Sequence, residues 1–173
     1  MNVKNNKRRR DSQEKIEKAF VELLQTHEIK EITVSALIEM TNLNRSTFYA
    51  NYADILDLAD KTRHKLEQEF RDLFSDYEDM HEHNGALKMF RHIKENQLFY
   101  KTYFKLCYDD SHLISIYNPD QVQKEHFDSN LKYHIEFFRN GLNAIIKLWL
   151  ADGCKESPEE MAKVLKQEYR GRQ

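Results

Sequence analysis

The chain has 173 residues, 40% apolar and 32% charged, with 27 Lys/Arg against 29 Asp/Glu and a formal net charge of −2. That apolar fraction is enough to build one large or two small packed domains, while the absence of any run of about 18 apolar residues excludes a helical membrane span. Four Gly, two Pro and no long alternating Val/Ile/Thr run exclude a sheet-rich fold and predict an all-α chain. Two cysteines, Cys107 and Cys154, suit a reducing compartment and make no disulfide framework. The N-terminus is basic without the apolar core of a signal peptide, so the expected location is cytoplasmic, with no membrane partner.

Lys4, Lys7, Arg8, Arg9 and Arg10 come before the first acid and read as a basic arm suited to phosphate or minor-groove contact. Asp11 and Glu14 have the spacing of a capping box, and Ile16, Ala19, Phe20, Leu23 and Leu24 then fall on one helical face. Ile29 and Ile32 lead to Thr33, the expected cap of a short helix that turns Val34, Leu37, Ile38 and Thr41 inward. Asn42 stands where a left-handed residue would end that helix, and Asn44 is a suitable cap for a second one running from Arg45 to Tyr52. Phe48 and Tyr52, four apart, share its inner side. Arg45, Ser46, Thr47, Tyr49, Ala50 and Asn51 are left at or near the outer face, and Arg, Ser, Thr and Asn reach base edges and phosphate oxygens in a major groove. The spacing is that of a helix-turn-helix braced by a preceding helix.

The stretch from Thr33 to Leu58 resembles the signature of the TetR (TetR/AcrR) family of transcriptional regulators. The matching elements read ITV, SALIEMT, NLN, RSTFYANY and ADILDL, within roughly residues 12 to 60. The resemblance implies that Thr33, Thr47, Tyr49 and Tyr52 are phosphate-contact or framework positions, and that Arg45, Ser46, Ala50 and Asn51 lie against bases. Asn42 replaces the family's usual Gly, and Ile38 and Thr41 stand where Ala is usual. Ile55 takes the place of a common Lys at the start of the fourth helix, so one phosphate contact is missing and a flatter salt dependence is expected.

From Asp54 a long helix is expected to about Tyr77, with Ile55, Leu58, Ala59, Leu66, Phe70 and Phe74 as its apolar stripe, linking a DNA-binding domain (1–53) to a helical regulatory and dimerisation domain (54–173). Helices resume with Ala86 and again with Leu98 to Tyr108. Phe90, Tyr103, Cys107, Phe127 and Phe137 are candidates to line a pocket for an apolar or aromatic effector. Leu131, Ile135, Phe138, Leu142, Ile145 and Trp149 recur at spacings of three and four, with Phe137, Ile146, Leu148 and Leu150 as a second apolar face. Gly153 fits a helix stop and Ser157-Pro158-Glu159-Glu160 a restart that carries Met161, Val164 and Leu165. The stretch from Phe137 to Leu165 resembles the end of a TetR-type C-terminal domain, which implies a four-helix homodimer interface. Leu131, Ile135, Phe138, Leu142, Ile145, Trp149, Met161 and Leu165 are its expected members.

Residues 1 to 52 hold nine Lys/Arg against seven Asp/Glu, and the remainder eighteen against twenty-two, so the chain is mildly basic where the reading helices lie and acidic behind them. That asymmetry suits double-stranded DNA as the partner. No glycine-rich phosphate loop, nucleophile elbow or paired-acid motif points to an enzyme. The eight histidines, with His81 and His83 two apart, lack firm ligand spacing, so neither a metal nor another cofactor is expected. The expected function is a dimeric repressor that reads a near-palindromic operator under the control of a small molecule or protein partner. The competing expectation is a DNA-organising or partner-controlled protein of the same fold.

Overall fold

The computed structural model describes residues 3–73, 85–106 and 130–170, and among these every regular element is helical. The chain divides into two compact units, Met1–Leu66 and Glu67–Gln173. The first therefore extends past residue 53, because the first turns of the fourth helix contribute Leu58 and Ala59, both fully buried.

Helix α1 (Val3–Leu24) starts eight residues before Asp11, and the basic stretch is its opening turns, not a tail. Arg and Lys are good helix formers, and nothing among these residues breaks the ladder. Asp11, expected to cap, therefore lies inside the helix, and the Ser12 hydroxyl beside it donates back to the Arg8 carbonyl at 2.9 Å. Ile16, Ala19, Phe20 and Leu24 point into the core, joined by Ile29 and Ile32 from a short 3-10 turn (Ile29–Glu31). Helix α2 (Val34–Thr41) is capped as expected, Thr33 Oγ1 accepting from the Ala36 amide at 3.2 Å, and it ends at Asn42, whose φ of 53° is left-handed. Leu37 is its fully buried residue.

Helix α3 (Arg45–Tyr49) stops three residues before the expected Tyr52. The cause is Asn51. Its side-chain amide donates to the Thr47 carbonyl at 2.8 Å, the acceptor that its own backbone N–H would use in a continuing helix, and that N–H goes to Phe48 instead. Asn44 at the other end is more heavily engaged than a plain cap. Its Oδ1 accepts from the Thr47 amide at 2.8 Å and from the hydroxyls of Ser46 and Thr47 at 2.7 Å each. Asn44→Ala is expected to lower stability by ~1 kcal/mol or somewhat more, since three donors lose one acceptor. Chemical denaturation of the purified chain checks this, and a wild-type midpoint would refute it.

Helix α4 (Ile55–Leu73) begins with a reciprocal cap. Asp54 accepts from the Asp57 amide and Asp57 from the Ala53 amide, each at 2.8 Å. The Lys61 ammonium and that same Ala53 amide hold the Asp57 carboxyl below its usual range. Within the first unit Glu17 fastens α1 to the segment after α3, accepting from the Tyr52 hydroxyl at 3.1 Å and pairing with Lys65 at 2.7 Å. Burial, chiefly, and the Glu17 charge push the Tyr52 phenol far up.

In the second unit, α5 (Gly85–Glu95) packs against α8 (Pro158–Arg170), and α6 (Gln97–Leu106) against α7 (Leu131–Ala151). Phe90 meets Trp149 edge to face at 5.5 Å, and Phe70 meets Tyr100 at 6.2 Å. Arg91 pairs with Glu159 at 2.7 Å, and Lys94 donates to the Glu156 carbonyl at 3.0 Å. The restart of α8 is a capping box, with the Ser157 amide on Glu160 at 2.7 Å and the Glu160 amide on Ser157 Oγ at 3.2 Å.

Candidate DNA-reading head and pairing face

Helices α2 and α3 meet at a buried seam of Leu37, Phe48 and Tyr52, with Phe48 and Tyr52 rings 5.7 Å apart. Packing that side inward leaves the other side of α3 to solvent. Arg45, Ser46, Tyr49 and Ala50 are exposed there and Thr47 is half-buried. Arg45 Nη2 donates to Ser35 Oγ at 2.7 Å, which ties the first residue of α3 to α2, a contact no spacing in the sequence announces. Thr33 is exposed at the start of α2, where its hydroxyl caps the helix.

One of the expected outward positions, Asn51, is elsewhere, while Tyr52 lies on the inner side as expected. Tyr52 is 2% exposed and bonded to Glu17, which makes it framework. Asn51 is 9% exposed and has both ends of its amide occupied, so it does not stand on the outer face. Lys7, Arg8, Arg9 and Arg10 are exposed on α1. Arg8 and Arg9, with Ser12, border a groove of about 580 Å³ whose far side is Ser46, Thr47, Ala50 and Asn51. Ile55 is half-buried at the start of α4 and offers no cation. Lys61, one and a half turns later, is directed back onto Asp57, the Asn51 carbonyl and the Tyr52 ring.

The residues expected to pair subunits are placed differently from the apolar side that α7 exposes. Leu142 and Trp149 are 4% and 2% exposed within a single chain, because that side of α7 faces α6 and the body of the unit, and Met161 is 7% exposed on α8, which packs against α5. Phe138, Ile145 and Leu165 are half-buried at its margins, and the side chains of Leu131 and Ile135 lie outside the described residues. Among the described residues, the large apolar groups that α7 and α8 leave in solvent are Tyr133, Phe137 and Leu148 on α7 and Val164 on α8. Tyr133, Phe137, Gly141, Ala144 and Leu148 follow one another at intervals of three and four, on the side of α7 opposite Leu142, Ile146 and Trp149. A Cβ added at Gly141 would meet nothing within 4 Å. The sequence does carry this stripe, but Gly and Ala in its middle hide it from any count of apolar residues.

The expected effector pocket is not assembled from the described residues. Phe90 and Tyr103 are core, at 0% and 1% exposure, and Phe137 stands on the surface at 59%. Cys107 and Phe127 lie outside the described residues, as do His81 and His83. The hollow that Phe137 does line, about 420 Å³, is bordered by Tyr133, Glu136, Asn140 and Gly141, all of the same helix.

A helix-turn-helix unit followed by an all-helical second unit defines a transcriptional regulator of TetR type. Residues 80–170, more than half of the chain, match the TetR family model described as "Transcriptional regulator C-terminal region", and the chain belongs to that family. Family membership makes it a regulator and not an enzyme. The HTH-type dhaKLM operon transcriptional activator DhaS of Lactococcus lactis subsp. lactis (strain IL1403) is 29% identical over 126 residues, 71% of this chain and 66% of that protein, just under two thirds of its length. The solved structure of a dihydroxyacetone kinase operon activator DhaS superposes with a TM-score of 0.55 at 23% identity, covering 90% of this chain and 92% of that one, which establishes the shared fold. Among the described residues no helix is long and apolar enough to cross a membrane.

Proposed function

We propose that the protein is a homodimeric DNA-binding regulator in which α2 and α3 read a near-palindromic operator and α7 and α8 pair the subunits. The observation that carries this is the solvent-facing side of α3, where Arg45, Ser46, Tyr49 and Ala50 stand beside the cationic first turns of α1. Thr33 and Thr47 supply backbone contacts at its edge. Residues 54–173 form the part through which an effector or protein partner shifts the dimer between head spacings that fit DNA and spacings that do not. Pairing through the Tyr133, Phe137, Gly141, Ala144 and Leu148 stripe, with Val164 beside it, places small residues where two helices approach closely.

The sign of regulation has two candidates. Repression is the one expected from sequence, and activation is favoured by the relative named as an operon activator. Selecting genomic fragments bound by the purified protein over a salt series tests both the function and its sign. A palindromic motif upstream of a promoter's core elements supports activation, and one overlapping them supports repression. Uniform binding without a motif would move the function to DNA organisation.

A further inference from the structure

We propose that Asn51 is a positioning residue and not a base reader, and that it sets Arg9 of α1 to grip a DNA backbone phosphate, supplying from α1 the contact that Ile55 cannot make from α4. This rests on the DNA-reading function proposed above.

The amide of Asn51 is committed at both ends. Its Nδ2 donates to the Thr47 carbonyl at 2.8 Å and its Oδ1 accepts from Arg9 Nε at 3.1 Å. A carbonyl can only accept and a guanidinium can only donate, so the two partners fix which way the amide faces. At 9% exposure and held at both ends, it is fixed within the head and not turned out toward a base edge. What it does is hold Arg9 by the inner edge of its fork. The remaining Nη donors of that fork make no hydrogen bond among the described residues, and the side chain is exposed.

Arg9 borders a groove with Arg8 on one wall and Ser46 and Thr47 on the other, and among the described residues no carboxylate lines it. Two cations bordering an open groove suit a phosphate oxygen, which the planar fork of Arg binds through paired N–H donors. Placement on a helix matters. An arginine in a flexible tail loses rotamer and backbone freedom on binding, whereas Arg9 is already held by α1 and by Asn51, so more of its interaction is retained as affinity. The chain Thr47–Asn51–Arg9 also joins the end of α3 to α1, so the phosphate contact and the reading helix move as one.

The test uses the full-length protein with two duplexes, the sequence best bound in genomic selection and a scrambled one, titrated between about 50 and 200 mM salt. Wild type, Arg9→Gln, Asn51→Ala and the double variant are compared, with helicity checked by circular dichroism. Arg9→Gln is expected to weaken both duplexes by the same factor, about tenfold, and to reduce the salt slope by about 0.9. Asn51→Ala is expected to act in the same direction and to add nothing on top of Arg9→Gln. An unchanged slope in Arg9→Gln overturns the phosphate contact, and losses that add in the double variant overturn the positioning role. An altered base preference in Asn51→Ala would make that residue a base reader and overturn the inference. If wild type binds neither duplex, the DNA-reading function itself falls, and this inference with it.

Discussion

Leu148→Glu is expected to yield a folded monomer that has lost most of its operator affinity. Leu148 is 66% exposed in the single chain, and the residues that hold α7 to its own unit, Leu142, Ile146 and Trp149, lie on the opposite side of the helix. A surface change of this kind alters the stability of an isolated subunit by only about 0.5 kcal/mol. In a dimer paired along this stripe, the same carboxylate would be carried into a dry helix crossing without a partner, at a cost of several kcal/mol. Two linked heads bind a palindrome more tightly than one by an effective-concentration factor of about 10²–10⁴, which the monomer forfeits. Sedimentation velocity with a parallel operator titration reads both losses. Leu142→Ala supplies the contrast, since truncating a buried leucine costs about 2–5 kcal/mol and would lower the melting temperature before it altered assembly. A Leu148→Glu protein that sediments and binds like wild type would remove α7 from the interface.

How much of this was legible in the sequence depends on how local the determining physics is. Thr33, Asn42, Asn44 and Ser157 were readable because a cap or a left-handed stop is decided within four residues, and all four do what their side-chain chemistry predicts. The buried side of α1 was readable from period alone. The start of α1 was not, because Asp11 and Glu14 have the right spacing for a cap while the arginines before them are equally good helix formers, and the longer helix is held at Arg9 by a residue 42 positions away. Asn51 failed for the same reason. Its spacing places it near the outer face, and only the arrival of α1 beside α3 gives its amide two partners and ends the helix early. On α7 the apolar residues cover nearly the whole circumference, so periodicity could not say which side the chain itself would bury. Contact with α6 and with Phe90 of α5, both far away in sequence, settled that, and Leu142 and Trp149 lie inside.

Arg45→Ala is expected to separate the two kinds of DNA contact proposed for this head. Arg45 is the first residue of α3, exposed, and its guanidinium rests on Ser35 Oγ at 2.7 Å, another exposed group. A hydrogen bond between two solvated side chains contributes little, so the guanidinium can leave Ser35 for a better acceptor without a large opposing term. On the function proposed above, the O6 and N7 atoms of a guanine in the major groove would be that acceptor, and a bidentate pair there is worth about 1–3 kcal/mol of discrimination. Loss of Arg45 should therefore weaken the selected operator by about 10- to 100-fold while the scrambled duplex is bound nearly as before. Ser35→Ala should leave operator affinity within about twofold, since its hydroxyl only parks the side chain in the free protein. The pattern is the reverse of the one expected for Arg9, whose loss weakens every sequence alike. If Arg45→Ala also weakens both duplexes equally and lowers the salt slope, Arg45 is a second backbone contact. Sequence would then be read by Ser46, Tyr49 and Ala50, through small polar and apolar contacts that discriminate far less per residue.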